Sequence, residues 1–178
     1  MKEHLISIDG FRELARPTSA HLDVEEVNKY IEECEDIYII PAVGLETFKA
    51  LLDADVCQGM PEDVLLNGGE WIDEKGECGC DGGKLRKCHG LRKALSYFVY
   101  ARMMQNDGGI VTRTGFVKHN DEYASRDDDK NRVRKYNEVM SVAETYLSTS
   151  VDYWKCYKGD CRRDRVRGTR IRIHSVGD

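Results

Sequence analysis

The sequence predicts a mainly α-helical fold, a bundle of about four to five helices with a small β-hairpin or loop excursion near residues 70–90. Three stretches support this prediction. Apolar residues recur at steps of three and four over residues 24–38 and over 133–154, and residues 91–105 are apolar on nearly every side. Such spacing buries one face of a helix, or a whole helix, so these stretches are expected to form the core.

A chain of 178 residues, 40% of them apolar, suits one domain with a single core. We expect residues 1–157 to form this helical domain, with a loop or hairpin insertion at residues 68–90. Residues 158–178 differ in composition and are expected to form an extended basic C-terminal arm.

The N-terminal part begins with residues 1–17, which predict an irregular or extended entry that ends at Pro17. A helix follows behind Asp23, whose carboxylate can accept from the amide of Glu26 in a capping box. The corner Pro41–Gly44 is expected to break the chain after this helix. The apolar face of the helix is expected to comprise Val24, Val27, Ile31, Cys34 and Tyr38.

The rest of the domain is expected to alternate helices with Gly-rich connections. A short helix over residues 46–54 precedes a second, which Pro61 opens and Asn67–Gly69 closes. The helix over 91–105 belongs in the middle of a bundle or in an interface, and residues 110–124 look extended or looped. The long final helix, capped by Ser125 and Asp128, is expected to have an apolar stripe of Val133, Tyr136, Met140, Ala143, Leu147, Ser150 and Trp154.

Charge and composition exclude some classes of protein. The net charge of −5 argues against a protein whose main task is to grip duplex DNA. The sequence has no apolar stretch long enough to cross a bilayer and no secretion signal, so we expect no membrane partner and synthesis in a reducing cytoplasm. Seven cysteines make an odd count, which fits free thiols or a metal site better than a disulfide framework.

A metal site would most naturally use the cysteines of the Gly-rich excursion. Cys78, Cys80, Cys88 and His89 are the candidate zinc ligands, since thiolates and imidazoles suit zinc. Their spacing matches none of the common zinc patterns, and adjacent Cys88 and His89 rarely both reach one ion. We therefore expect a surface hairpin with reduced thiols, without metal or cofactor.

No arrangement in the sequence indicates an enzyme. A nucleophilic cysteine needs a base and a group that orients the base, and the histidines lie in unrelated contexts. Cys34 lies on an apolar helix face and is expected to be a buried small hydrophobe. The acidic groups Glu32–Asp36 and Asp127–Asp129 are expected to be solvated, and no glycine pair continues into a P-loop. The five histidines are His4, His21, His89, His119 and His174.

The C-terminal arm is the part whose composition points most directly to a partner. Its Arg and Ile residues alternate over 170–173, as in a strand that could add to a neighbour's sheet edge or dock on an acidic partner. Contact with nucleic-acid phosphates and a solvated tail are the other interpretations. The candidate interface residues are Arg162, Arg163, Arg165, Arg167, Arg170, Ile171, Arg172 and Ile173.

Several segments together resemble a virion protein of crAss-like tailed bacteriophages, and their layout is similar to that of head–tail connector (head-completion adaptor) proteins. The segments, which together cover about residues 5–155, are FRELARPTSAHLDVEEVNKYIEECE, DIYIIPAVGLETFKALL, LLNGGEW and GLRKALSYFVYARMMQNDGGIVTRTGFVKHNDEYAS. The resemblance implies a non-enzymatic helical subunit of a ring, commonly twelvefold, between the portal protein and the next tail or ring component.

Two physical expectations agree with that implication. An apolar central helix could be buried against identical copies of the chain in a homo-oligomeric ring. An acidic lumen would repel phosphates and let packaged DNA slide through. The resemblance further implies a place in the virion at the head–tail junction, after assembly in the host bacterial cytoplasm.

Two other functions remain as alternatives. A zinc-binding, nucleic-acid-binding regulator would use Cys78, Cys80 and Cys88 with the Arg-rich tail, and would bind zinc stoichiometrically. A small cytosolic hydrolase would use a cysteine and would react with a thiol probe at a single residue.

Overall fold

The computed structural model describes residues 3–17, 23–53, 59–73, 83–106, 110–112, 115–117 and 129–159. The fold is mainly α-helical with a small antiparallel hairpin, as the sequence predicts. The elements in chain order are α1 (Ile8–Leu14), α2 (Val24–Cys34), a π-helical turn (Glu35–Ile39), α3 (Ile40–Val43), α4 (Leu45–Asp53), α5 (Pro61–Asn67), β1 (Gly69–Asp73), β2 (Lys84–Cys88), α6 (Leu91–Asn106), β3 (Ile110–Thr112), β4 (Gly115–Val117) and α7 (Asp129–Tyr157).

The start of α2 is the one that the capping box predicts. The Asp23 carboxylate accepts from the amides of Glu25 and Glu26, at 2.9 Å and 3.4 Å. The predicted apolar face is buried at Val27, Ile31 and Cys34. Val24, which was expected on that face, is instead half exposed, because it lies in the first turn beyond the packed part of the helix.

The predicted break at Pro41 is wrong. The helical backbone continues from α2 through the π-helical turn into α3. Pro41 lies in the first turn of α3 and therefore within a continuous helix. The helix ends at Gly44, whose φ of +86° is a backbone conformation that residues with a side chain avoid.

The entry segment also differs from the prediction. Residues 8–14 form a helix, α1, rather than irregular or extended chain. The Ser7 hydroxyl accepts from the Gly10 amide at 3.2 Å, and Phe11 is fully buried beside Leu5 and Ile6. Burial of this aromatic ring therefore fixes a short helix that the alternation of Ile6 and Ile8 obscured.

The core of the bundle is α6, which packs along α7 and also contacts α1, α2 and α5. Phe98 stacks face to face on Tyr38, with ring centroids 4.1 Å apart. Most of the large apolar side chains of α6 are thus buried within one chain, which favours the middle of the bundle, the first of the two places expected for this helix. Its fully buried side chains include Leu91, Ala94, Leu95, Phe98, Val99 and Ala101.

The long final helix follows the predicted stripe only in part. Ala143 and Ser150 are buried as expected. Val133 is 58% exposed, whereas Val139, outside the predicted stripe, is fully buried. The predicted cap at Ser125 and Asp128 lies outside the described residues.

The predicted excursion is an antiparallel hairpin, β1–β2, that leaves and re-enters the bundle at one point. A Cβ added at Gly90, which has a φ of +86°, would lie 2.6 Å from the carbonyl carbon of Asn67 and the amide nitrogen of Gly68. Glycine is therefore required for the two ends of the hairpin to meet. A second antiparallel pair, β3–β4, lies in the stretch predicted as extended or looped.

None of the described helices is both long and apolar enough to cross a membrane. The boundary predicted at residues 157 and 158 coincides with the end of α7, but almost all of the arm lies outside the described residues. The division into a domain and an arm therefore stays a prediction.

Candidate protein interaction surface at the hairpin

The outer face of the hairpin holds two apolar side chains in solvent. Ile72 and Leu85 are directly opposed in the register and are 60% and 62% exposed. Their neighbours Glu70 and Lys87 form the next outward-facing pair along the strands. We call these four residues the outer hairpin face. Single exposed apolar residues are common, and this directly opposed pair forms a small apolar patch, which is a candidate contact surface.

The inner face of the hairpin binds it to α7. Trp71 meets Tyr153 edge to face, with ring centroids 5.6 Å apart. The Arg86 guanidinium donates to the buried Asp73 carboxylate at 2.8 Å and lies 6.0 Å from the centroid of the Trp71 ring. These contacts alternate with the outer residues along each strand, so the side that faces solvent is fixed by the side that packs.

The hairpin root contains two of the four candidate metal ligands. The buried Cys88 thiol donates to the Val64 carbonyl at 3.3 Å and lies 3.6 Å from the Ser150 hydroxyl. Burial raises the pKa of this thiol. In this position Cys88 faces the core, and metal binding by its sulfur would require it to leave these partners. Cys78 and Cys80 lie outside the described residues.

His89 is also part of the packing at the root. Its ring stacks on Tyr146, with centroids 4.4 Å apart, and its Nδ1 lies 3.0 Å from the Thr149 hydroxyl. Burial lowers the pKa of His89, and the positive charges of Lys87 and Lys93 lower it further. Within the described ranges, no group of three or more His, Cys, Asp and Glu side chains is placed to hold a metal ion.

Cys34 is the buried hydrophobe that the sequence predicts. Its side chain is fully buried in the core, and burial raises its pKa to about 12. The thiol is therefore protonated at neutral pH, a state in which cysteine is a poor nucleophile.

Glu35 contradicts the expectation that the acids of residues 32–36 are solvated, because its side chain is buried in the π-helical turn. Its carboxylate accepts from the Leu5 amide at 2.7 Å and lies 3.0 Å from Nδ1 of His4. Burial raises the pKa of Glu35, against the opposing effect of these two partners. The signal was present in the sequence, since Glu35 follows Ile31 by four residues and so shares its buried face.

A groove of about 810 Å³ runs between the N-terminal segment and α6. Arg92 crosses it, donating from Nε to the Leu5 carbonyl at 2.9 Å and from a terminal nitrogen to the Asn67 side chain. Its lining mixes acidic with basic side chains, including Glu3, Glu13 and Lys93. The arginine thus acts as a structural link between the entry segment and α5.

Further exposed apolar side chains lie at the C-terminal end of α7. Tyr157 stacks on Trp154 and is itself 55% exposed. Lys158 lies 4.9 Å from the Trp154 ring centroid and donates to the Thr47 hydroxyl at 3.2 Å, which ties α4 to this end of α7. Leu45, at the start of α4, is likewise half exposed. The hairpin and α4 therefore expose apolar side chains around the same end of one long helix.

The predicted interface residues of the arm, from Arg162 to Ile173, lie outside the described residues. Sequence patterns missed the outer hairpin face, because the short strands mix charged and apolar residues on both faces. Comparison with known proteins places the chain in a family without assigning a function. No curated protein and no solved structure matches the sequence. A family model described as a family of unknown function (DUF6712) matches residues 39–155, from the last residue of the π-helical turn to two residues before the end of α7, and the chain belongs to this family.

Proposed function

We propose that this protein is a non-enzymatic structural component of a tailed-phage virion, one subunit of a ring that joins the portal and capsid to the tail. The observation that carries the proposal is the outer hairpin face, where Ile72 and Leu85 are held together in solvent by a hairpin that packs on α7. The resemblance to head–tail connector proteins supplies the setting in which such a face would be used.

The energetics of this face suit a subunit that assembles. Burial of a large aliphatic side chain contributes about 1.5–3 kcal/mol to the free energy of binding. Because Ile72 and Leu85 lie opposite each other, a single contact can bury both side chains. The inner-face contacts of Trp71 and Arg86 already fix the hairpin, so little conformational entropy remains to be lost on binding. Because α6 is covered within the chain, the proposed subunit folds first and assembles afterwards.

The charge distribution is compatible with the passage of DNA. The outward side of α2 presents exposed carboxylates, and the chain as a whole has a net charge of −5. A surface of that sign repels phosphates and lets a duplex move without adhering. In the proposed ring, packaged DNA passes through a lumen, and portal protein and the next tail or ring component lie above and below. The exposed acids on α2 are Glu25, Glu26, Glu32 and Glu33, followed by Asp36 in the π-helical turn.

The proposal is tested by the mass of the full-length protein in solution, alone and mixed with the portal protein of the same phage. Mass photometry is expected to detect closed rings of many 20.4 kDa subunits, either spontaneously or on the portal. The double variant Ile72→Glu/Leu85→Lys keeps an attractive cross-strand pair but removes the apolar contact, and should reduce assembly at least tenfold.

Val133→Lys is the matched control for that variant. Val133 is as exposed as Ile72, but it lies about 25 Å from Ser150 along α7 and so away from the hairpin root. It should assemble as the wild type does. A chain that stays monomeric with portal at all concentrations, or virions that lack it, would refute the proposed function.

A further inference from the structure

A ring built from one kind of subunit needs two different contact surfaces on each subunit. A surface that meets its own copy gives a closed pair, whereas a surface that meets a different one repeats in one direction and can close into a ring. In the proposed ring, the outer hairpin face is one of these surfaces. The other must therefore lie elsewhere on the subunit and be able to receive Ile72 and Leu85, which are exposed on the hairpin.

The groove between the entry segment and α6 has an apolar floor and lies on other elements than the hairpin. Leu5 and Ile6 are buried at its floor, and Ile8 and Leu14 of α1 line it with partly exposed side chains. Its lining residues come from the entry segment, α1, α2, α5 and α6. The hairpin of the same chain is packed on α7 with its outer face in solvent, so the hairpin that enters this groove belongs to another copy.

Two charged side chains hold the entry segment in place along the groove. The Glu35 carboxylate accepts from the Leu5 amide at 2.7 Å, and Arg92 donates from Nε to the Leu5 carbonyl at 2.9 Å. Both backbone polar groups of Leu5 are thus bound on the side of the bundle. The wall of the groove is formed before any partner binds, so little conformational entropy is lost on association.

The charges along the groove match those of the outer hairpin face. Glu13 of α1 lies on one side of the groove and Lys93 of α6 on the other, while the hairpin carries Lys87 on β2 and Glu70 on β1. Lys93 lies 5.2 Å from the centroid of the Tyr146 ring, a contact that does not neutralise its charge. When β2 lies along α1 and β1 along α6, each charge meets one of opposite sign. The reversed orientation brings like charges together, so the charges select one orientation.

We propose, on the basis of the proposed ring, that the outer hairpin face of one subunit binds in the groove between the entry segment and α6 of the next subunit. Ile72 and Leu85 lie against the apolar floor, and the charged pairs lie at the rim. An apolar centre with a polar rim is the usual arrangement of a protein interface. Each subunit then offers a hairpin to one neighbour and a groove to the other.

Complementation of two assembly-deficient variants tests this pairing. Ile72→Glu/Leu85→Lys disables the hairpin, and Asn28→Trp fills the groove from an exposed position of α2 that lines it. Each variant alone should stay monomeric under the conditions in which the wild type assembles. Their mixture should form a one-to-one dimer in sedimentation velocity, because one variant keeps its groove and the other keeps its hairpin.

Lys29→Trp is the matched control, since it adds the same side chain at the next exposed position of α2, outside the groove lining. It should assemble as the wild type does. If Asn28→Trp forms wild-type rings, or if the mixture stays monomeric while the wild type forms rings, the hairpin–groove contact is overturned and the proposed function stands. A wild type that forms no ring with portal protein would refute the proposed function, and this contact with it.

Exchange of charges tests the orientation. Glu70→Lys/Lys87→Glu reverses both charges of the outer hairpin face but keeps their attraction across the strands, and should weaken assembly at least tenfold. Glu13→Lys/Lys93→Glu makes the same reversal in the groove and should weaken assembly to a similar extent. The chain with all four substitutions should recover assembly, because every charge again meets its opposite.

Glu46→Lys/Lys49→Glu is the control for this exchange, since both residues are exposed on α4 and belong to neither surface. Its assembly should equal that of the wild type, and thermal unfolding should show that all these variants are folded. A chain with all four substitutions that assembles no better than either double variant would overturn the proposed contact.

Discussion

The central helix α6 buries most of its apolar side chains, whereas the hairpin exposes two of them. α6 has apolar residues on nearly every side, and most of its large side chains are buried against helices of the same chain. The hairpin is short and rich in charge, yet it holds Ile72 and Leu85 mostly in solvent. The comparison teaches that periodic apolar residues locate the core, whereas the proposed interaction surface lies on an anchored element with one packed side and one open side.

The largest difference in the free energy of unfolding is expected between a variant at the centre of the core and a variant on the outer hairpin face. Phe98→Ala removes a fully buried ring that stacks on Tyr38, and should lower the free energy of unfolding by about 3–5 kcal/mol. Ile72→Ala, on the outer hairpin face, should change it by less than about 0.5 kcal/mol. Urea denaturation of both variants checks the contrast, and equal losses would contradict it.

A substitution of Gly90 at the hairpin root should destabilise the fold about as much as a substitution in the core. Gly90→Ala requires a left-handed backbone, at about 1–2 kcal/mol, and brings a Cβ against the backbone of Asn67, at a further cost of about 1–3 kcal/mol. Gly44→Ala is the matched control, because Gly44 has the same φ of +86° with no atom within 4 Å of the added Cβ. Thermal unfolding should show a clearly larger loss for Gly90→Ala.

The buried carboxyl of Glu35 makes the stability of the core depend on pH. The pKa of Glu35 is raised by burial in the folded chain, so the unfolded chain releases this proton at lower pH. Relative to Glu35→Gln, the wild type should therefore lose stability as the pH rises from the ordinary carboxyl range through the raised pKa. Unfolding curves of both proteins at a series of pH values measure the difference. A difference that is constant with pH would show that Glu35 does not titrate in this way.

The smallest effect is expected at the edge of the bundle, in a helix cap. Asp23→Ala leaves the amides of Glu25 and Glu26 without their side-chain acceptor and should cost about 1 kcal/mol. Asp23→Asn keeps an acceptor oxygen and should cost less. Urea denaturation distinguishes the two, and an equal loss would mean that charge rather than the hydrogen bond stabilises the cap.

Helices in which apolar residues recur over several turns could be predicted from the sequence, because burial of one helix face produces a local pattern. The excursion at 70–90 was also predictable from its glycines. The short helix α1 was not, since its stability comes from burial of Phe11 by distant elements. The break predicted at Pro41 was wrong because the π-helical turn before this residue continues the helix into α3.

The candidate surface was harder to predict than the fold. Alternation in a strand of five residues does not reveal which face is packed. Trp71 lies on the inner face because it contacts Tyr153, which is far away in the sequence. The spacing from Ile31 places Glu35 on a buried face, but that spacing does not reveal its partners, His4 and the Leu5 amide. In both places the deciding contact joins residues that are distant in the chain, and a local pattern does not contain it.

The meeting of Gly68 and Gly90 has a consequence for how this chain can vary. Because the two backbones touch where the hairpin leaves the bundle, everything between them forms a closed loop on a fixed base. Its length can change without moving the helices on either side, as long as the two backbones still meet. Related chains can therefore change the outer hairpin face, and with it the partner that the hairpin contacts, while they keep the same helical bundle.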